Sequence, residues 1–200
     1  MLLPDNFVKT APTENPSQFD VDGMKHAFFQ GQLGLSEGGV PIGAALVRAD
    51  GTVIGTGRNR RVQQCSATRH GETDCLENIG RLPAAVYKDC TMFTTLSPCP
   101  MCSGTLVLFG IKRCVMGEND SFLGGESILK SHGVEVVNLN LDSCKKLMAD
   151  FIAAKPEVWN EVSPPARAWV TLRRPRPREL TGLDLGSRRT SGRRTRAFWQ

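Results

Sequence analysis

From Gly43 to Ala154 the chain alternates between strand-forming and helix-forming runs, and this alternation constrains the fold more than any single motif. Successive strands joined through helices build one sheet with helices packed on both faces, an α/β architecture. Val21, Met24, Phe28 and Leu33 recur near helical spacing and predict a first helix over Asp20–Leu33, ended by the cluster Ser36-Glu37-Gly38-Gly39. Gly43–Arg48 and Thr52–Thr56 flank Ala49-Asp50-Gly51 and predict an antiparallel hairpin. His70–Ile79 predicts a helix stopped by Gly80, Cys90–Thr95 a buried strand, and Cys99–Phe109 a helix stopped by Gly110. Arg113–Gly117 and Val134–Asn138 predict two more strands, and Asp142–Ala154 a helix capped by Asp142.

Two polar clusters stand at the starts of these helices. His70-Gly71-Glu72 opens one, and Pro98-Cys99-Pro100-Met101-Cys102 opens the other, in the order H-x-E then P-C-x-x-C that marks zinc deaminases. One imidazole and two thiolates supply three legs of a tetrahedral zinc site and leave the fourth open, which is the arrangement of a catalytic rather than a structural zinc. Helix N-termini carry partial positive charge and stabilise thiolates there. Zinc lowers the pKa of a bound water from 15.7 toward about 7, and Glu72, beside the ligands without being one, is the group to move protons. His26 and His132 are read as structural or solvent-facing, and Cys65, Cys75, Cys90, Cys114 and Cys144, which lack ligand spacing, as small buried residues.

A length of 200 residues suits one domain, and 40% hydrophobic with 22% charged residues excludes a wholly disordered or fibrous chain. No stretch approaches the roughly 18 consecutive apolar residues of a membrane span, and Met1–Pro16 lacks the apolar core of a signal peptide, so a cytoplasmic protein with a flexible tail over residues 1–16 is expected. An odd count of seven cysteines argues against a disulfide framework. The net charge of +5 is deceptive. Through residue 162 there are 15 Lys and Arg against 18 Asp and Glu, a balance of −3, whereas residues 163–200 hold 10 Arg against Glu179 and Asp184, a balance of +8. The folded part therefore has no overall basic character to draw nucleic acid.

The residues go further than the metal motif. Glu-Gly-Gly-Val-Pro-Ile-Gly at 37–43, Ser-Ala-Thr-Arg-His-Gly-Glu at 66–72, Leu-Glu-Asn at 76–78, Tyr-Lys-Asp at 87–89, Thr-Thr-Leu-Ser-Pro-Cys at 94–99, Met-Cys at 101–102, Gly-Glu-Asn at 117–119 and Cys-Lys-Lys at 144–146 give a chain that resembles the fungal cytosine deaminases of the cytidine-deaminase-like superfamily. The resemblance runs from about Met24 to Glu161. It implies a three-layer α/β/α sandwich around a mixed five-stranded sheet, a homodimer, one zinc per subunit, and conversion of cytosine and water to uracil and ammonia in pyrimidine salvage, with 5-fluorocytosine also accepted. It further implies that Asn59, assisted by the Gly71 backbone, grips the polar edge of the base, that Ser97 makes a polar contact near the amine, and that Ile42, Leu96, Phe122 and Trp159 wall the ring. After Trp159-Asn160-Glu161 the family continues with an acidic substrate contact where this chain has Val162, and Glu161 is not assigned that role.

These readings divide the chain into a tail over 1–16, a deaminase domain over 17–161, and an Arg-rich segment over 162–200. The last holds 10 Arg and no Lys, against 7 Arg and 8 Lys in the preceding residues, so disorder is expected there. Its composition suits translated GC-rich noncoding sequence, a retained intron; a solvated basic extension and an Arg-rich nuclear-targeting or nucleic-acid segment are the other two readings, and the last would add a nuclear location. Three other functions stay open on the sequence: a tRNA adenosine deaminase, which uses the same zinc chemistry on a flipped base, a nucleoside deaminase, and a non-catalytic zinc-bound subunit. The −3 balance and Gly71 speak against the first, the family resemblance against the second, and intact Glu72 against the third.

Overall fold

The computed structural model describes residues 16–161. The expected tail, except for its last residue, and the Arg-rich segment from Val162 onward lie outside the described residues. In chain order the elements are α1 (Gln18–Ser36), β1 (Gly43–Arg48), β2 (Val53–Arg58), α2 (Gly71–Ile79), α3 (Ala84–Lys88), β3 (Cys90–Thr94), α4 (Pro100–Phe109), β4 (Arg113–Met116), α5 (Glu126–Ser131), β5 (Glu135–Asn138), α6 (Asp142–Ala154) and α7 (Pro156–Asn160).

The strands form one five-stranded sheet in the order β2-β1-β3-β4-β5. β1 runs antiparallel to β2 and β3, while β3, β4 and β5 are parallel, so the sheet is mixed. Side chains alternate across it, as strand geometry requires. Ala44, Leu46, Met92 and Cys114 enter one core with Cys75 and Leu76 of α2, Tyr87 of α3, Leu106 of α4 and Leu129 of α5. Ala45, Val47, Phe93 and Val115 enter the opposite core with Met24, Ala27 and Phe28 of α1 and Cys144 of α6. The three-layer α/β/α sandwich expected from the sequence is the one formed. Phe93, Leu46 and Met92 are fully buried, and each contributes roughly 1.5–3 kcal/mol by leaving water.

Helix boundaries follow local chemistry. Ser17 caps α1 by accepting from the Asp20 amide at 3.1 Å, which starts the helix earlier than the apolar spacing alone indicates. Gly110 ends α4 in the left-handed conformation at φ 73°, and Gly80 ends α2 at φ 65°. Asp142 is not the cap of α6 as expected: Leu141 is the cap, and Asp142 is the first helical residue, where its charge faces the positive helix end. Cys65 is also a correction, being exposed with φ 46°, whereas Cys75, Cys90, Cys114 and Cys144 are buried as expected.

The site depends on one close approach. An added Cβ on Gly57 of β2 would lie 2.1 Å from the amide nitrogen of Cys75, so absence of a side chain lets α2 rest directly on the strand. The pairings Gly43 with Arg58, Ala44 with Thr94, and Thr94 with Met116 place the entry to β1 and the exits of β2, β3 and β4 at one edge of the sheet. Open α/β sheets bind ligands at such carboxyl ends.

Candidate metal centre

His70 is the cap of α2 and Cys99 the cap of α4, with Pro100 at the first helical position where a missing amide hydrogen costs nothing. The Thr73 hydroxyl accepts from the His70 amide at 2.9 Å and fixes the start of α2. These two helix starts bring the ligand atoms of His70, Cys99 and Cys102 within 4.8 Å of one another, and Cys99 Sγ lies 3.5 Å from His70 Nδ1. The donor set fits zinc: one imidazole and two sulfurs, borderline-soft, with three protein ligands rather than four. The hydrogen bond from Cys102, assisted by His70, holds the Cys99 thiol down at about 4 against the opposing effect of burial. Cys102, bonded to that thiolate and buried, is pushed up. The pair thus shares one proton, which ligation would release.

Glu72, one residue into α2, is 3% exposed, and its Oε1 lies 3.2 Å from the Thr94 hydroxyl. Burial pushes its carboxyl above the usual carboxylate range. A carboxyl raised in this way sits closer to the operating pH of a general acid and base.

Behind the ligands, Asp74 is fully buried and holds the wall in place. It accepts from the Arg58 amide at 3.1 Å, Arg60 Nε at 3.3 Å and Asn78 Nδ2 at 3.3 Å, and pairs with Arg69 at 3.4 Å. This hub ties the exit of β2, and the loop that returns to His70, onto α2.

A cavity of about 70 Å³ opens beside the metal ligands. Ile42, Asn59, Leu96, Ser97, Phe122 and Trp159 all line it together with His70, Glu72 and Cys99. Phe122 and Trp159 meet edge to face, with ring centroids 6.4 Å apart at 87°. Gly71 is buried but is not among the lining residues; an added Cβ there would lie 3.1 Å from the Ile42 carbonyl. Asn59 Oδ1 accepts from the Arg61 amide at 3.1 Å, which leaves Nδ2 as the side chain's donor for an occupant. Val40 and Arg61 also line the cavity and were not foreseen. Arg61 reaches Glu161 at 3.4 Å, while Val162 lies outside the described residues.

The zinc-binding region of cytidine and deoxycytidylate deaminases matches residues 17–118. The chain belongs to this deaminase family. The deaminase is 55% identical to cytosine deaminase of Candida albicans over 71% of the chain and 95% of that protein. It is 30% identical to a tRNA-specific adenosine deaminase of Haemophilus influenzae over 70% of the chain and 87% of that protein. Among solved structures it shares the fold of guanine deaminase from Nitrosomonas europaea, with a TM-score of 0.55 and 22% identity over 76% of this chain and 94% of that one. The deaminase is thus a zinc-site hydrolase by family, with His70, Cys99 and Cys102 as the matching donor set.

Proposed function

We propose that this deaminase hydrolyses free cytosine to uracil and ammonia. The observation that carries the reading is one small cavity lined by two of the three zinc donors, His70 and Cys99, a buried carboxyl at Glu72, an amide donor at Asn59 and a pair of aromatic rings, with Cys102 completing the donor set behind it. Its volume of about 70 Å³ is far below the roughly 300–1,000 Å³ of sites for drug-sized ligands, which favours a single ring without a sugar. The relationship to the Candida albicans cytosine deaminase supports the same substrate.

His70, Cys99 and Cys102 would hold zinc, which when bound would supply a water that ionises near pH 7. Glu72 takes one proton from the attacking water and delivers it to the ring nitrogen as the water oxygen bonds to the amine-bearing carbon. It then carries the second proton of that oxygen to the exocyclic nitrogen, whose bond to carbon breaks to release ammonia and leave a new carbonyl. Asn59 Nδ2 donates to the existing ring carbonyl, and Phe122 and Trp159 clamp the ring and exclude bulk water. 5-Fluorocytosine, in which a small fluorine replaces one ring hydrogen, belongs to the same substrate class.

Pairing of two copies and a role in pyrimidine salvage in the cytoplasm complete the reading. Leu108, 80% exposed, and the neighbouring Phe109 give α4 an apolar face suited to a second copy. All seven cysteines are unpaired, which suits a reducing compartment. No helix among the described residues is long and apolar enough to cross a membrane. Zinc-loaded protein incubated separately with cytosine, cytidine and an adenosine-bearing tRNA stem-loop tests the substrate: ammonia is expected from cytosine alone, and turnover confined to the stem-loop would replace this reading with RNA editing.

A further inference from the structure

The segment that follows β4 returns across the cavity, carries Phe122, and ends at Glu126, the first residue of α5. Glu126 is no ordinary helix-start acid, because its side chain is only 11% exposed and faces inward to a residue that lines the cavity. Its Oε1 accepts from Ser97 Oγ at 3.0 Å and from Asn119 Nδ2 at 3.0 Å. Its Oε2 stands 3.7 Å from Lys130 Nζ. Asn119 Oδ1 in turn accepts from Asn138 Nδ2 at 2.9 Å, which fixes the direction of the Asn119 amide. Ser97 Oγ also accepts the Gly124 amide hydrogen at 3.1 Å.

These contacts use up the capacity of the Ser97 hydroxyl in one direction only. A hydroxyl has one proton and two lone pairs. The proton goes to Glu126 and one lone pair to Gly124, so Oγ retains a single lone pair and no donor. The Ser97 main chain adds a carbonyl, another acceptor. Whatever Ser97 offers the cavity therefore receives hydrogen bonds and does not give them. Deamination replaces an amine, which donates, by a carbonyl, which accepts.

We propose that Glu126 is a specificity-determining positioning residue: by holding the Ser97 proton it keeps Ser97 an acceptor, so that the substrate amine is bound in preference to the product carbonyl. This rests on the cytosine reading above. Without the carboxylate the hydroxyl rotates and donates to a carbonyl, product is held more tightly, and discrimination falls. A Glu126 that only tethers the segment carrying Phe122 would weaken both ligands alike.

Calorimetry on zinc-loaded Glu72→Gln protein, which does not turn over, measures Kd for cytosine and uracil in one background. With Glu126 in place cytosine binds more tightly, and Glu126→Leu lowers the ratio of the uracil to the cytosine Kd about tenfold, the worth of one hydrogen bond made to the wrong partner. Glu126→Gln restores the ratio, because its Oε1 still accepts from Ser97 and Asn119. In a Ser97→Ala background Glu126→Leu has no further effect on the ratio. Should Glu126→Leu fail to fold, Ser97→Ala alone lowers the ratio by removing the acceptor. An unchanged ratio in Ser97→Ala, equal weakening of both ligands by Glu126→Leu, or an effect of Glu126→Leu that persists without Ser97 overturns the proposal. Uracil formation by the unsubstituted zinc enzyme is read separately, and its absence strikes the functional reading itself rather than the role of Glu126.

Discussion

Gly57→Ala places one methyl group between β2 and α2, and its consequence can be worked out from distances alone. The new Cβ would lie 2.1 Å from the Cys75 amide nitrogen and 2.6 Å from Cys75 Cα, whereas ordinary contact begins at 3.4 Å. Both obstacles are backbone, so no side-chain rotation relieves them. The helix must withdraw from the sheet by roughly 1 Å, and displacement of that size at a catalytic group costs on the order of 10²-fold in rate. Because His70 caps α2 and Glu72 lies in its first turn, the movement also opens the metal site. Overpacking of this kind costs about 1–3 kcal/mol, or about 2–12 °C in Tm for a chain of this size. Gly104→Ala, compared in the separated subunit because Gly104 lies one turn before Leu108 on the exposed face of α4, is the matched control. It adds the same methyl group to α4 in open space, and should raise stability by about 0.5–1 kcal/mol. Thermal unfolding, zinc content and kcat on cytosine would be measured for both variants. A Gly57→Ala protein with full zinc and unaltered kcat would refute the argument that this contact positions the site.

Two further outcomes follow from the site. In zinc-stripped protein Cys99 is alkylated rapidly and at an almost constant rate as pH falls from 8 to about 5, because its thiol is held at about 4 and remains thiolate above that value. Labelling slows as pH passes below that value, zinc protects Cys99, and Cys75, pushed to about 12 by burial, stays unlabelled; peptide mass mapping of equal labelling with and without zinc would count against the ligand assignment. Asp74→Asn removes the charge that two arginines and two amides share, at a cost of about 3 kcal/mol, or about 6–12 °C in Tm, and a shift under about 2 °C by calorimetry would show the hub to be dispensable.

The layers and the metal site were legible because their signals are local. Strand and helix runs carry their own periodicities, Gly80 and Gly110 mark helix ends, and the H-x-E and P-C-x-x-C clusters declare their chemistry by residue type and order. The helices α3, α5 and α7 were missed because segments of five or six residues make too few turns to show a stripe, and their caps, Pro83, Gly125 and Lys155, carry no side-chain capping signal. The sheet order is set by pairing between distant segments, which no local pattern records. Phe122 and Trp159 entered the reading through family resemblance, since in isolation an aromatic residue is ordinary packing. Arg61, Asp74 and Glu126 look like surface charges in the sequence. Their partners converge only after β2, α2 and the segment between β4 and α5 close around one edge of the sheet.

Activity as a function of bound zinc tests the central claim most directly. Metal-free protein, titrated with zinc and assayed for ammonia release from cytosine, should be inactive at the start and rise in proportion to metal until one ion is bound per chain, with Glu72→Gln binding the same single ion and releasing no ammonia. Turnover by the metal-free protein, or by Glu72→Gln at the unsubstituted rate, would contradict the account.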